Sequence, residues 1–502
     1  MANSLLIGFF TTILCTAFSF PLALLNSRYD YPGKAVFSGL LLVPLIMPPF
    51  VGAIGIQKFF AKFGSINLFL LERNWIQEPI EWLAQDHLLW TVVILEVLHL
   101  YPIMYLNLSA ALANIDPSLE DIATTLGISS LKKFKDIIWP LARPGFFAGA
   151  IIVFIWSMTD LGTPLLVGYH DAIPVRIFNM VTDMQENPVG FALVFIVIAI
   201  TTACFILSKK IVKKDCYQML GKGHSSSIVQ KLNWKNSIFL YLLFSFVILL
   251  ALTPHVTVLI TSVSDKWFMT PWPTQFTTKY YQMIFQDELS FIGIKNSFLL
   301  ATASTLFDLF LGTTIAFIVT RKLIPWPQIL DALVMIPLAL PGIILAFGYV
   351  ITYSNTPLDP LSNPIPLLII AYGIRRLPYM VRSASAGLQQ ASACLEEASQ
   401  LMGASSFHTL RKITFPLLVA NLIAGALLCF SYAMLDVSDS MILAMKDQFY
   451  PLTKAIYSLY LEQGTGEFIA SALGIFAMII ISLCIMGAAS ILGKRMGELF
   501  RS

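Results

Sequence analysis

Apolar runs long enough to cross a bilayer recur along the whole chain, and nothing else in the sequence constrains the fold as tightly. The hydrocarbon core is crossed by about 20 apolar residues in a helix. Inside it every backbone N–H and C=O must find a partner within the protein, which a helix supplies by itself. Counting such runs predicts eleven spans, near 4–26, 36–60, 88–112, 144–168, 189–208, 237–262, 296–320, 329–353, 365–388, 417–443 and 467–492. Several contain Pro, as Pro44, Pro48 and Pro49 do in the second, which membrane helices tolerate when neighbours satisfy the freed carbonyls. With 12% of 502 residues charged and 57% hydrophobic, a soluble chain could not cover its surface. The expected fold class is all-α integral membrane. The run from Leu5 to Leu25 has no Lys or Arg before it, so it lacks the positive flank of a signal peptide and reads as a retained span.

Charge placement orients the spans. Between Lys209 and Asn236 seven Lys (209, 210, 213, 214, 222, 231 and 235) face one acidic residue, Asp215. Such excess marks a cytoplasmic segment, so 209–236 is expected to be a basic cytoplasmic linker. Arg28, Lys132, Lys133, Lys135, Arg321, Lys322, Arg411, Lys412, Lys494 and Arg495 fall on the same side. Alternation then puts the C-terminus in the cytoplasm and the N-terminus outside. Six cysteines, at 15, 204, 216, 394, 429 and 484, form no C-x-x-C pair and read as reduced packing residues.

The chain repeats itself. Leu119–Leu141 (LEDIATTLGISSLKKFKDIIWPL) and Leu395–Leu417 (LEEASQLMGASSFHTLRKITFPL) align without a gap at an offset of 276, with eight of 23 positions identical. At the same offset Pro102 falls on Pro378, Ser109 on Ser385, Gly149 on Gly425, Phe154 on Phe430 and Asp160 on Asp436. Upstream the offset is 293, placing Asn3-Ser4 on Asn296-Ser297, Arg28 on Arg321, Pro44 on Pro337 and Pro48 on Pro341. The second copy is therefore 17 residues shorter in the outer loop after its second span. Self-similarity over this length means a duplicated unit. The expected layout is a first module at 1–208, the linker, and a second module at 237–502 with its core at 294–492. The first copy has no counterpart of span 237–262, so it lacks a leading helix.

The conserved-register segment reads as helix, tight turn, helix. Gly127 and Gly403 sit where the first short helix must stop, since Gly readily takes the left-handed cap conformation. Ser129-Ser130 and Ser405-Ser406 are expected to cap the second helix, and Pro140 and Pro416, each 13 residues past its Gly, to close it before the next span. An acidic residue stands six before each Gly, at Asp121 and Glu397. The alternative is an ordinary cytoplasmic loop, which the shared register of both copies argues against.

These residues resemble the signature loop of binding-protein-dependent ABC importer permeases, E-A-A-x-x-x-G with a following Pro. The loop stands here as Asp121-Ile122-Ala123…Gly127…Pro140 and Glu397-Ala398-Ser399…Gly403…Pro416. The second copy is the nearer match, the first having Asp for Glu and Ile for Ala. The resemblance implies two tandem type I permease modules in the cell (inner) membrane. It implies that each loop docks into a cleft of an ATP-binding subunit and carries its closure to the membrane helices. Partners so implied are two copies of an ATP-binding cassette ATPase, an extracytoplasmic substrate-binding protein and the lipid bilayer, with no nucleic acid. Fused permeases of this size resemble ferric-iron importers, and Thr159-Asp160-Leu161-Gly162-Thr163-Pro164 and Arg375-Arg376-Leu377-Pro378-Tyr379 look like that group. Thiamine or a phosphonate is the alternative cargo.

No G-x-x-x-x-G-K-[ST] is present, so ATP hydrolysis is expected on another chain. The chain is expected to be no enzyme and to need no cofactor. The His are scattered, and no ligand-spaced cluster suggests a metal site. A secondary transporter also carries repeats but has no use for paired elbows. An intramembrane enzyme would need clustered His, Asp or Ser-Lys chemistry in the spans.

Ionisable groups inside spans face a cavity or a partner. Glu96, His99, Asp160, Asp308, Asp331, Arg375, Arg376 and Asp436 are of this kind. Asp160 and Asp436 each lie 20 residues after the loop Pro, about 30 Å along a helix, which places them near the outer mouth. They either line a path for a cationic substrate, or cap helix ends or pair with Lys in outer loops. His99 aligns with Arg375 in the cytoplasmic half. The aromatic stretch Trp267–Pro273 is an interfacial belt or part of a docking surface.

Overall fold

The computed structural model describes residues 1–46, 48–113, 115–180, 189–214, 230–391, 393–462 and 464–492. They form helices with two short strand pairs, and divide into two compact units, Met1–Val258 with Trp267–Trp272, and Leu259–Lys266 with Pro273–Ser502.

In the first unit the helices are α1 (Ala2–Arg28), α2 (Lys34–Leu40), α3 (Val43–Ile46), α4 (Pro49–Phe60), α5 (Ser65–Glu72), α6 (Leu88–Ala113), α7 (Pro117–Thr125), α8 (Ser130–Lys133), α9 (Trp139–Thr159), α10 (Gly162–Val167), α11 (Ile173–Asn179), α12 (Val189–Lys214) and most of α13 (Ile238–Ser262). α1, α6 and α9 pack on one another as a three-helix core, with α12 against α9. Their shared interior holds Leu22, Leu100, Met104, Leu108 and Val153, all buried. Tyr29–Asp30 pairs in parallel with Gln230–Lys231.

The second unit repeats the order. It contains α14 (Lys279–Met283), α15 (Glu288–Thr320), α16 (Pro327–Ala339), α17 (Gly342–Tyr353), α18 (Ile365–Gln390), α19 (Ala393–Leu401), α20 (Ser406–Thr409), α21 (Phe415–Met434), α22 (Ser438–Leu443), α23 (Leu452–Leu461) and α24 (Gly466–Leu492). α15, α18 and α21 make the equivalent three-helix core around Ala316, Met380, Val381, Ala384 and Leu418. Ser264–Lys266 pairs antiparallel with Gln275–Phe276. Large apolar side chains are left on the outside, among them Phe195 (72% exposed) and Phe310 (78%). Lipid tails are the solvent that accepts such a surface.

The span count differs from the eleven read from hydropathy. Among the described residues seven helices are long and apolar enough to cross a membrane, and nine when two bent pairs count as one span each. The bends fall at Pro48-Pro49 (88°) and at Pro341 (99°), where Pro48 and Pro341 take extended backbone angles that end one helix and start the next. Proline lacks the N–H and pushes its predecessor out of the helical region. The other two expected spans lie on α12, whose qualifying apolar stretch is only Val189–Cys204, and on α18, which carries Arg375, Arg376 and Arg382. Two expected spans also end early. Segment 144–168 breaks after Thr159, and 417–443 after Met434.

The linker and module boundary also read differently in three dimensions. Residues 209–214 continue α12, while Asp215, Cys216 and Lys222 lie outside the described residues. α13, expected to open the second module, packs in the first unit as far as Val258. There Phe37 stacks on Tyr241 at 5.3 Å, and α4 closes on α13 at Gly55. A Cβ on Gly55 would lie 2.0 Å from the Pro254 carbonyl oxygen. Small residues let membrane helices approach backbone to backbone. Gly55→Ala is expected to destabilise the protein by about 1–3 kcal/mol, the usual cost of overpacking, read as a lower thermal midpoint in detergent. An unchanged midpoint would mean that α4 and α13 can separate freely.

Candidate coupling elbows and the buried charges behind them

Both repeated segments fold as the helix–turn–helix elbow the sequence predicts. Gly127 and Gly403 have φ of +70° and +88°, the left-handed region where a side chain is strained. Around each Gly the chain closes a helix C-cap. The Gly127 N–H donates to Thr124 O (3.0 Å) and the Ile128 N–H to Ala123 O (3.0 Å), and Gly403 and Ala404 donate to Gln400 O (2.9 Å) and Ser399 O (3.1 Å). These are the bonds that satisfy the last carbonyls of a helix.

Two local expectations change. Ser405 Oγ accepts from the His408 N–H (3.3 Å) as an N-cap, but Ser129 makes no side-chain cap. Pro140 and Pro416 do not close the second helix. In both units it runs on into the membrane through one wide π turn, Phe134–Ile138 and Leu410–Thr414, just before the Pro. A proline has no N–H to give and its ring crowds the carbonyl four residues back; the π turn makes room while the helix continues.

The elbow is tied to its unit by residues that motif reading passed over. In the first unit Arg28, at the end of α1, donates from Nη2 to Glu120 Oε2 at 2.7 Å. In the second, Arg321, just after α15, grips Glu396 with two bonds, Nη2 to Oε1 (2.7 Å) and Nε to Oε2 (3.2 Å). Thr414 Oγ1 adds a third to Oε1 (3.1 Å). A bidentate guanidinium–carboxylate pair fixes orientation as well as distance. The signal was present in the sequence: Arg28 and Arg321 correspond, and so do Glu120 and Glu396. Arg321→Ala is expected to leave the protein folded, because the pair stands at the end of the helices, and to lower transport several-fold by loosening the elbow. Equal transport in wild type and variant would show the clamp to be idle.

Of the motif residues themselves, Ala123 is buried (2% exposed), while Ile122 is 57% exposed. Glu397 and Ala398 are exposed, and Ser399 exchanges a hydrogen bond with Thr409 (2.9 Å). The side chain of Asp121 lies outside the described residues. The elbow tips present Leu126 (72%) and Leu131 (84%) in the first unit, and Leu401 (88%), Met402 (90%) and Phe407 (72%) in the second. Exposed apolar groups grouped on a polar-flanked loop mark a docking surface.

Asp160 and Asp436 occupy the same place in both units, the break after the long elbow-fed helix. Asp160 Oδ2 accepts from the Thr163 N–H (2.8 Å) and Asp436 Oδ1 from the Asp439 N–H (2.8 Å), so each carboxylate starts the following short helix. Beyond that they differ. Asp436 is 3% exposed and bound by Arg376 Nη2 at 2.6 Å and Arg375 Nη1 at 3.3 Å. Arg375 also reaches Asp439 at 3.5 Å, and Arg376 donates to Tyr432 O at 2.8 Å. The expectation that Arg375 lies in the cytoplasmic half and Asp436 near the outer mouth fails, since the two side chains meet. The antiparallel register of α18 and α21 sets their level, with Ser383 Oγ donating to Asn421 O at 2.6 Å and Arg376 Nη2 to Tyr432 O at 2.8 Å, so Arg375 and Arg376 stand beside Asp436. His99 holds Pro44 O through Nδ1 (2.9 Å), and Asp331 pairs with Arg382 (3.2 Å). Trp267 is 2% exposed beneath Lys58, which donates to its carbonyl at 2.8 Å, so of this aromatic stretch Phe268 (82%) and Trp272 (56%), not Trp267, face outward.

The chain is a multi-pass helical membrane protein built of two like units, each with a clamped elbow, and it is the family match that makes it a transport component and not an enzyme. The chain belongs to the family of binding-protein-dependent transport system inner membrane components, whose model matches residues 6–214 and 309–498. It is 28% identical over 453 residues to the putative ferric transport system permease protein FbpB 1 of Haemophilus influenzae, covering 89% of this chain and 70% of that one. It is 26% identical to the ferric transport system permease protein FbpB of Actinobacillus pleuropneumoniae, across 89% of this chain and 65% of the relative. The molybdenum transport system permease protein ModB of Haemophilus influenzae is 26% identical over 41% of this chain and 90% of its own length.

Proposed function

We propose that this chain is the permease subunit of an ATP-driven importer of ferric iron, delivered by an extracytoplasmic binding protein. The observation that carries the importer reading is the pair of clamped elbows with apolar tips, at Leu126 and Leu131 and at Leu401, Met402 and Phe407. Each tip fits the cleft of one ATPase subunit, so two copies are expected. When the ATPases close on ATP, each elbow moves as a rigid piece, because its C-cap and its Arg–Glu clamp bind it to the spans. The π turn leads that motion directly into α9 and α21. Basic residues on the elbows and at the ends of α1 and α15 support a cytoplasmic position for this face, with the C-terminus on the same side and the N-terminus outside, by the positive-inside rule. The ferric assignment is supported by the iron-type relatives, whose similarity covers 89% of this chain where that to the molybdenum permease covers 41%.

Uptake of labelled ferric iron by cells with and without this chain, partner subunits present, tests the proposal. Loss of energy-dependent uptake on deletion is the expected result. Unchanged iron uptake alongside lost molybdate uptake would transfer the cargo to an oxyanion and leave the importer class in place.

A further inference from the structure

The two units hold their broken spans by different means. α4 and α17 are equivalent helices, each following the break of a bent pair, and each packs on the short helix after the elbow-fed span, α4 on α10 and α17 on α22. In the first unit an uncharged bond joins them, Gln57 Nε2 donating to Leu166 O at 2.6 Å. The position equivalent to Gln57 is Val350, whose side chain has no polar atom to make such a bond.

The second unit uses Arg375 instead. Its Nη1 lies 3.3 Å from Asp436 Oδ2, just past the end of α21, and 3.5 Å from Asp439 Oδ2, in the first turn of α22. The same guanidinium rests on Gly342, the first residue of α17 after the 99° bend at Pro341. A Cβ on Gly342 would overlap it. The two features go together across the repeat. Where the second unit has Arg375 and Gly342, the first has His99 and Pro49, and His99 reaches the other side of its own bend, at Pro44 O (2.9 Å).

On the α21 side the anchor is firm. Arg376 Nη2 also binds Asp436 Oδ2, at 2.6 Å. Asp436 Oδ1 accepts from the Asp439 N–H (2.8 Å), and its backbone carbonyl accepts from Ser440 Oγ and Thr453 Oγ1, both at 2.6 Å. Ser440 Oγ in turn meets the Tyr372 hydroxyl at 2.5 Å. The end of α21, the start of α22 and the middle of α18 are thereby knotted together, and Arg375 extends the knot to the bend. Guanidinium–carboxylate contacts fix orientation as well as distance. The Arg375 side chain is 27% exposed against 7% for Arg376, so it can leave Gly342 without burying an unpaired charge.

We propose that Arg375 is the positioning residue that carries elbow movement to the broken span of the second unit. α21 runs without a break from the π turn behind the elbow to Met434. A shift of its end moves Asp436, Arg375 follows the carboxylates, and the guanidinium presses on or releases α17 at Gly342. A helix break is a place where a small shift becomes a change of angle. The proposal rests on the importer reading, in which ATPase closure moves the elbows.

Hydrogen–deuterium exchange of the chain assembled with its ATPase subunits in nanodiscs, with and without ATP, tests it and needs no cargo. Such exchange reads backbone opening segment by segment. In the wild type ATP should alter exchange both in the elbow, 393–409, and around the bend, 340–346. Arg375→Met should keep the elbow response and lose the one at the bend. Gly342→Ala, whose methyl takes the seat of the guanidinium, should do the same with Arg375 still present. Arg375→Lys, which keeps the charge, should recover part of the response and guards against loss of the fold in the Met variant. A bend that answers ATP in Arg375→Met as it does in wild type would overturn the proposal and leave the importer reading in place. An elbow that ignores ATP in the wild type would remove the importer reading, and this proposal with it.

Discussion

Arg376→Met is expected to destabilise the second unit by about 3–5 kcal/mol, the cost of stranding a buried charge whose partner has been removed. Asp436 is left with the longer contact to Arg375 at 3.3 Å, in a place 3% exposed where water cannot repair the loss. The check is thermal unfolding of the detergent-solubilised protein, together with the amount recovered from membranes. Asp436→Asn added to Arg376→Met should recover part of the loss, because it removes the stranded charge. The two changes should therefore be less than additive, as contacting residues generally are. A wild-type melting curve for Arg376→Met would mean that the Arg376–Asp436 contact at 2.6 Å contributes nothing to the fold.

Gly403→Pro is expected to reduce ATP-driven uptake to background while membrane insertion and the amount of protein stay normal. Gly403 stands at φ +88°, proline is held near −65°, and a misplaced proline costs about 3 kcal/mol or more. The change also removes the N–H that donates to Gln400 O. The strain falls on an exposed turn with nothing within 4 Å of where a Cβ would sit, so packing in the membrane is untouched while the elbow cannot keep its shape. Gly403→Ala should be milder, since an L-residue in the left-handed region costs about 1–2 kcal/mol, and should lower uptake without abolishing it. Normal uptake by the proline variant would show that the elbow at 393–416 does not couple ATP to transport.

The elbow was legible because its information is local. A C-cap Gly, a repeat in register and a fixed Gly-to-Pro spacing are read from consecutive residues. The clamp was harder to see. Arg28 and Glu120 are 92 positions apart and Arg321 and Glu396 are 75 apart, and the adjacent acidic residues Asp121 and Glu397 drew attention because they carry the family motif. Only the double correspondence of Arg with Arg and Glu with Glu pointed to the pair. The prolines misled for a physical reason. Pro140 and Pro416 obey the rule that proline cannot sit in a regular helix, but the chain meets the rule by widening one turn, whereas at Pro48 and Pro341 it breaks.

By itself the sequence determined that this is a multi-pass helical membrane protein, that it is one module repeated, and that each copy exposes an elbow. Those conclusions follow from run length, identity at a constant offset and the backbone needs of Gly, all properties of the chain read in order. Only the tertiary structure decided which charges meet. Depth counted at 1.5 Å per residue holds for a straight helix, and the spans break at Asp160 and Asp436 and bend at Pro48 and Pro341. The antiparallel register of α18 and α21 brings Asp436 to Arg375 and Arg376, while the positions of the first unit that correspond to these arginines are His99 and Leu100, so two aspartates that are equivalent in sequence end in different surroundings.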